Sequence, residues 1–200
     1  MSIIGKGRLE AFSDGVIAII ITIMVLELKV PHGADWAALS KLLPVFLSYV
    51  LSFVFVGIYW NNHHHLLHAC KRVDGAVMWA NMHLLFWLSL IPFATGWMGE
   101  NHFAQLPVSI YGVAMLMPGL AYYVLQTCVV RANGTDDALA EALGRDIKGK
   151  VSPLFCLAGI GSAFVSPWLA CTAYVLLALM WLIPDRRIEK VIEHPRLKAD

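Results

Sequence analysis

Six stretches of this 200-residue sequence are apolar over lengths close to that of a helix that crosses a membrane. A bilayer-spanning helix needs about 17–25 mainly apolar residues. Only 14% of the residues are charged, whereas roughly a quarter are charged in soluble domains. We therefore predict an all-α integral membrane protein with six transmembrane helices. The predicted spans cover residues 12–28, 41–60, 76–98, 107–130, 151–166 and 168–184.

The last two predicted spans are short and could form one long, kinked helix. The pair Ser166-Pro167 interrupts this apolar run. Proline removes a helical hydrogen bond and disfavours the helical conformation of the residue before it. This break favours two spans over one.

Basic residues indicate how the six spans are oriented. With six spans, all but two of the fifteen lysines and arginines fall on one side, and the exceptions are Lys29 and Lys41. Cytoplasmic loops carry an excess of Lys and Arg. We therefore expect both termini in the cytoplasm, a transmembrane domain over residues 1–184 and a cytoplasmic tail over 185–200. A five-span chain would place this basic tail outside.

Several functional classes lack support in the sequence. No basic patch indicates a nucleic-acid partner, and the four cysteines lie singly, without the paired spacing of a metal or redox motif. The first apolar run contains Asp14 and lacks a small-residue cleavage site, so we do not expect a removable signal peptide.

The first predicted span carries a short apolar stripe. Ile19, Ile23 and Leu26 share one helical face, and Thr22 lies beside them. Such a stripe is also typical of packing or lipid contact. Arg8, Ser13 and Asp14 argue for a function, because a charge at membrane depth is costly and usually faces inward to a partner.

A histidine-rich segment follows the second predicted span, in the sequence Trp60-Asn-Asn-His-His-His-Leu-Leu-His68. Three interpretations stay open: a metal site containing His63, His64 and His68, a buried hydrogen-bond network joining one or two histidines to Asp14 and Arg8, or an exposed cluster. Asn81 and His83, early in the third predicted span, are further candidates for the network.

The motif Arg8-x-x-x-Phe12-Ser13-Asp14 is followed by an isoleucine-rich helix. This pattern resembles the signature of a known family, the prokaryotic branch of the transmembrane-protein-175 potassium channels. Weaker similarities extend through the first three predicted spans, at Trp60-x-x-x-His64, Arg72-x-Asp74, Leu90-Ile91-Pro92-Phe93 and Gly99-Glu100. The His63-His64-His65 run and His83 depart from the family pattern.

The resemblance implies a homotetramer in a prokaryotic inner membrane, with the first helix of each subunit lining a central pore. Ile19 would form the main constriction, with rings of Ile23 and Leu26 further out and a hydroxyl layer from Thr22. A structural network would anchor the pore helix. Its implied members are Arg8, Phe12, Ser13, Asp14, Trp60 and His64.

The function implied by the resemblance is a cation channel permeable to potassium. The sequence contains no Thr-Val-Gly-Tyr-Gly filter, so we expect modest selectivity for potassium over sodium at an apolar constriction that can gate by dewetting. Glu27 would concentrate cations at the outer mouth, or it marks an interface with Lys29. Lipid and permeant monovalent cations are the other expected partners, with no cofactor.

Two other classes remain as alternatives. A secondary transporter of a small cation or polar solute also buries charges, although it usually has two related halves, and we find no convincing repeat. A membrane metalloenzyme would depend on the histidine-rich segment. We rank the channel first and expect no enzymatic activity.

Overall fold

The computed structural model describes residues 5–134 and 147–183, and within these ranges the chain is entirely helical outside its turns and loops. The all-α prediction is confirmed for this part of the chain. The predicted tail at 185–200 lies outside the described residues. The helices are α1 (Lys6–Leu26), α2 (Trp36–Ser40), α3 (Leu43–Ala69), α4 (Gly75–Ser89), α5 (Ile91–Glu100), α6 (Gln105–Ala132), α7 (Ile147–Ala163) and α8 (Pro167–Leu182).

Four helical segments in the described residues are long and apolar enough to cross a membrane: α1, α3, α4 together with α5, and α6. The third of these was predicted as one span. It is two helices joined at Leu90, because Pro92 lies in the first turn of α5. The shorter α8 is also apolar. The chain is thus a multi-pass membrane protein, and a count of six crossings stays a prediction.

The helix α3 is longer than the span predicted at 41–60. Its 27 residues extend it over roughly 40 Å, beyond a hydrocarbon core about 30 Å thick. The histidine-rich segment forms the last turns of α3.

The helices α7 and α8 form an antiparallel hairpin. The chain leaves the helix after Ala163 and starts α8 at Pro167, where proline needs no helical hydrogen-bond partner. At the other end, the Trp181 indole N–H donates to Ser152 Oγ at 2.8 Å, and Lys148 Nζ donates to the carbonyl of Ile183 at 2.8 Å. The start of α7 thus lies beside the end of α8.

One end of the bundle collects the basic residues, and we call it the basic end. Lys6 Nζ donates to the carbonyl of His68 at 2.7 Å, so the start of α1 meets the end of α3. The side chain of Asn133, which follows α6, accepts hydrogen bonds from the backbone N–H groups of Lys71 and Arg72 at 2.6 and 2.9 Å. The loop between α3 and α4 is therefore fastened to the end of α6.

The last three helices pack tightly around Tyr174 on α8. Its ring lies against Gly112 on α6 and Gly159 on α7, where a Cβ atom would overlap the tyrosine. Its hydroxyl donates to the carbonyl of Val108 at 3.3 Å. Small residues let helices approach closely in membranes, and here they admit one large ring.

Candidate pore helix and its polar anchors

The helix α1 has one buried face and one exposed face within the single chain. Its buried residues are Leu9, Ser13, Ile17, Ile20 and Met24. On the other side, Ile19 is 57% exposed, Ile23 is 42% exposed and Leu26 is 78% exposed, and Thr22 is also exposed. The helices that α1 packs against are α3, α4 and α5.

The exposed side chains predicted to line a pore form a continuous stripe. At about 100° of rotation per residue, Ile19, Thr22, Ile23 and Leu26 fall within an arc of about 100°. At 1.5 Å of rise per residue, the stripe extends over roughly 10 Å from Ile19 to Leu26. The Thr22 hydroxyl donates to the carbonyl of Ile19 at 2.9 Å, so its oxygen can still accept a hydrogen bond.

A groove of about 580 Å³ runs beside this stripe, between α1 and the α4 and α5 pair. Ile19 and Ile23 line one wall, and Phe93 and Trp97 line the other. Glu27 and Glu100 lie at its end. The groove is open, so the stripe is accessible to another molecule or to another copy of the chain.

The carboxylate of Asp14 has a partner on α3. The indole N–H of Trp60 donates to Asp14 Oδ1 at 3.0 Å. The Trp60 ring also stacks on His64, with centroids 5.9 Å apart, and His64 stacks on His68 at 6.2 Å. This exposed contact joins the first turns of α1 to the last turns of α3.

A second, buried chain of hydrogen bonds joins α1, α3 and α4. Asn81 Nδ2 donates to Ser13 Oγ at 2.9 Å, Ser13 donates to the carbonyl of Leu9 at 2.8 Å, and His63 Nε2 lies 2.7 Å from Asn81 Oδ1. Because the Ser13 hydroxyl donates its hydrogen to the Leu9 carbonyl, the Ser13 oxygen accepts the hydrogen bond from the Asn81 amide. Asn81 Oδ1 then faces His63, whose Nε2 carries the hydrogen.

The network therefore differs in membership from the one predicted. A histidine does take part, but it is His63, and the α1 residue that it reaches through Asn81 is Ser13. Asp14 bonds to Trp60, and His64 takes part only by stacking on that ring. His83 stays apart, because it accepts a hydrogen bond from Trp87 at 2.8 Å.

Two residues of the Arg-x-x-x-Phe-Ser-Asp motif lie outside both sets of contacts. Arg8 is exposed and, among the described residues, its side chain makes no hydrogen bond or ion pair. Phe12 is 50% exposed. Both line a shallow depression beside Met78, Trp79 and Met82 of α4.

At the opposite end of the bundle, Lys29 pairs with Glu100 at 2.6 Å. The hydrogen bond and the charge of Glu100 raise the pKa of Lys29 above its ordinary value. Glu100 is thus the ion-pair partner of Lys29, and both interpretations of Glu27 stay predictions. Glu27 is exposed beside the pore stripe.

The metal interpretation finds no geometric support in the described part of the chain. In residues 5–134 and 147–183, no three histidine, cysteine, aspartate or glutamate side chains converge as ligands of one metal ion. His63 points into the buried network, whereas His64 and His68 are exposed.

Comparison with known proteins decides the family. The chain is 55% identical over 94% of its length to a protein of Chryseobacterium sp. named as a potassium channel, and it covers 98% of that protein. The chain belongs to the TMEM175 family. The family model described as "Endosomal/lysosomal potassium channel TMEM175" matches residues 8–92, which include most of α1 and all of α2, α3 and α4.

The TMEM175 fold is also shared with a solved structure. The lysosomal potassium-selective channel TMEM175 homolog from Chamaesiphon minutus superposes with a TM-score of 0.80 and is 29% identical, with 89% of this chain and 96% of that chain covered. The human relative is named an endosomal/lysosomal proton channel. It is 34% identical over 52% of this chain, which spans only 23% of the human protein.

Proposed function

We propose that this TMEM175 protein is a potassium-permeable cation channel in which four copies of α1 enclose a central pore. The exposed stripe from Ile19 to Leu26 is the observation that carries the proposal. Hydrogen bonds fix the opposite side of α1 to α3 and α4, so the stripe has a defined direction. The names of the bacterial relatives and of the superposed structure agree with a potassium channel.

A pore formed by α1 requires several copies of the chain. One helix at the edge of a bundle cannot enclose a path, and the stripe is left uncovered by α3, α4 and α5. A symmetric ring is the ordinary way in which identical chains close around an axis. The number four comes from the family resemblance.

Within this pore, Ile19 forms the narrowest point, and Ile23 and Leu26 form further apolar rings. The hydroxyl of Thr22 supplies an oxygen between them, because its own hydrogen is used on the Ile19 carbonyl. An apolar neck makes an ion shed part of its hydration shell, which costs less for potassium than for the smaller sodium ion. Selectivity is therefore modest, and the neck can close by dewetting.

The two ends of α1 have different roles in this proposal. At the outer mouth, the carboxylate of Glu27 raises the local cation concentration, since Lys29 is engaged by Glu100. At the basic end, the contacts of Ser13 and Asp14 hold the pore helix in register. We place this end and both termini in the cytoplasm of a bacterial cell whose inner membrane contains the channel.

The test is the reversal potential of the purified, reconstituted protein in a planar bilayer with potassium on one side and sodium on the other. We expect a shift toward the potassium equilibrium potential. Ile19→Ala should increase the current and reduce this shift, because it widens and hydrates the neck. Val25→Ala is the matched control, since Val25 is also exposed on α1 but lies off the stripe.

Two outcomes would contradict the proposal. Equal effects of Ile19→Ala and Val25→Ala would remove Ile19 from the conduction path. An absence of current from folded, oligomeric protein would favour a secondary transporter.

A further inference from the structure

A cavity of about 320 Å³ lies between α3, α6, α7 and α8, and the proposed function does not use it. Tyr59 and Asn62 of α3 line one wall of the cavity. Trp60, which contacts Asp14 of α1, points away from the cavity on another face of α3. The volume is near the lower end of the roughly 300–1,000 Å³ typical of small-molecule sites. The cavity is thus large enough for a ligand and separate from the pore stripe.

The inner part of the cavity is apolar. Phe55, Met115, Leu116, Cys156 and Leu177 line it. From Met115 to Gln126, at the polar end, the α6 wall extends over roughly 16 Å at 1.5 Å per residue. An occupant that fits this shape is long, narrow and mainly hydrocarbon.

The other end of the cavity presents polar groups. Gln126 is only 9% exposed, and within the described residues its amide makes no hydrogen bond. A buried amide without a partner is destabilising, so an occupant that accepts its N–H groups is favoured. Asn62 and Ser152 lie at the same end.

Lysine and tryptophan side chains indicate the charge of this end of the cavity and its position relative to the membrane surface. The side chain of Lys150 lines the mouth of the cavity. Nearby, the ammonium of Lys148 lies 5.9 Å from the centre of the Trp181 ring. Trp is enriched at the membrane–water interface, and Lys side chains near helix ends act as anchors there. The mouth therefore lies near the lipid headgroups and favours an anion.

The cavity is also accessible from the side. Leu120 and Tyr123, which line its edge on α6, are 43% and 66% exposed. Neither side chain is covered by the rest of the chain, and α6 is long and apolar enough to cross the membrane, so a molecule within the bilayer can enter here without crossing water.

We propose that this cavity binds one acyl chain of an anionic phospholipid. The phosphate lies beside Lys150 and accepts hydrogen bonds from the Gln126 amide. The chain runs inward toward Met115 and Leu177, while the second acyl chain stays in the bilayer. This proposal is independent of ion permeation.

Native mass spectrometry of the purified protein, titrated with phosphatidylglycerol or phosphatidylcholine, tests the preference for an anion. We expect severalfold more phosphatidylglycerol to be retained, and Lys150→Gln to abolish most of the difference. Arg131→Gln is the matched control, because it removes a basic side chain at the same end that does not line the cavity.

Three results would overturn the proposal. They are equal retention of the two lipids by the wild type, equal losses in Lys150→Gln and Arg131→Gln, and full displacement of phosphatidylglycerol by an equal concentration of oleate. The last result would assign the site to a free fatty acid.

A second measurement uses only the wild-type protein. Phosphatidylglycerol with a diazirine at the end of one acyl chain is bound and irradiated, and the labelled peptides are sequenced. We expect the label on the inner wall, at Met115, Leu116, Cys156 or Leu177. A label confined to other surfaces would show that the chain does not enter.

Discussion

The first helices of this protein are held together differently from the last ones. Between α1, α3 and α4, the contacts that fix the arrangement are hydrogen bonds between side chains, such as those of Asn81 and Trp60. Between α6, α7 and α8, the fit depends on a large ring inserted between glycines. Hydrogen bonds orient α1 without surrounding it, so one face stays open. The close packing around Tyr174 fixes the distances between α6, α7 and α8 by steric contact.

A substitution that disrupts the packing around Tyr174 should cause the largest loss of stability. Gly159→Val places a side chain into the Tyr174 ring, so backbone or ring must shift, and we expect a loss of about 3 kcal/mol in stability. The melting temperature of the detergent-solubilised protein measures it. Gly161→Val is the control, because a Cβ atom there meets nothing within 4 Å. Similar losses in both variants would refute the steric argument.

Removing the centre of the buried network should have the next largest effect. Asn81→Leu leaves Ser13 and His63 without their partner, and we expect a loss of about 2 kcal/mol. Thermal unfolding again measures it, with Asn61→Leu as the control on the exposed side of α3. If the two variants melt alike, the network does not stabilise the first helices.

The exposed contact between Trp60 and Asp14 should matter less for stability. Trp60→Phe removes the indole N–H but keeps a ring for His64, and we expect a loss of about 1 kcal/mol or less. A double-mutant cycle with Asp14→Ala isolates the energy of the hydrogen bond. Either single substitution already breaks the bond, so the double variant should lose less stability than the sum of the two single losses. Additive effects would show that the two side chains do not interact.

The smallest effect is expected at the ion pair of Lys29 and Glu100. Both side chains are largely exposed, and such pairs contribute little. Lys29→Gln should leave the melting temperature at neutral pH unchanged within error. Because the pKa of Lys29 is raised, any contribution is present at neutral pH and is lost as the pH rises through that raised value. A clear drop at neutral pH would contradict this expectation.

The apolar stretches were enough to predict every helix of the described residues except the short α2, and Pro167 was enough to predict the break between α7 and α8. Hydrophobicity acts over whole segments, and Pro167 acts locally, so neither depends on knowing the neighbouring helix. Pro92 carries the same kind of signal as Pro167 and indicates a kink in the span predicted at 76–98, and the structure divides this span into α4 and α5 at Leu90.

The hydrogen-bond partners of the polar side chains could not be predicted, because they depend on how each helix is rotated about its axis relative to its neighbours. Three consecutive histidines point in three directions about 100° apart, and only one of them meets Asn81. A signal for His63 was present: it lies seven residues after Val56 and four before Leu67, both fully buried. The roles of Ile19, Thr22, Ile23, Leu26 and Glu27 stay predictions until currents are measured.

Asn133 makes the loop between α3 and α4 depend on a helix that is synthesised later. The N–H groups of Lys71 and Arg72 both donate to the side-chain oxygen of Asn133, which reaches them once α6 has docked. Before that, the Arg72 amide lacks this acceptor. In the folded protein, the protection of the Arg72 amide against deuterium exchange therefore reports the docking of α6.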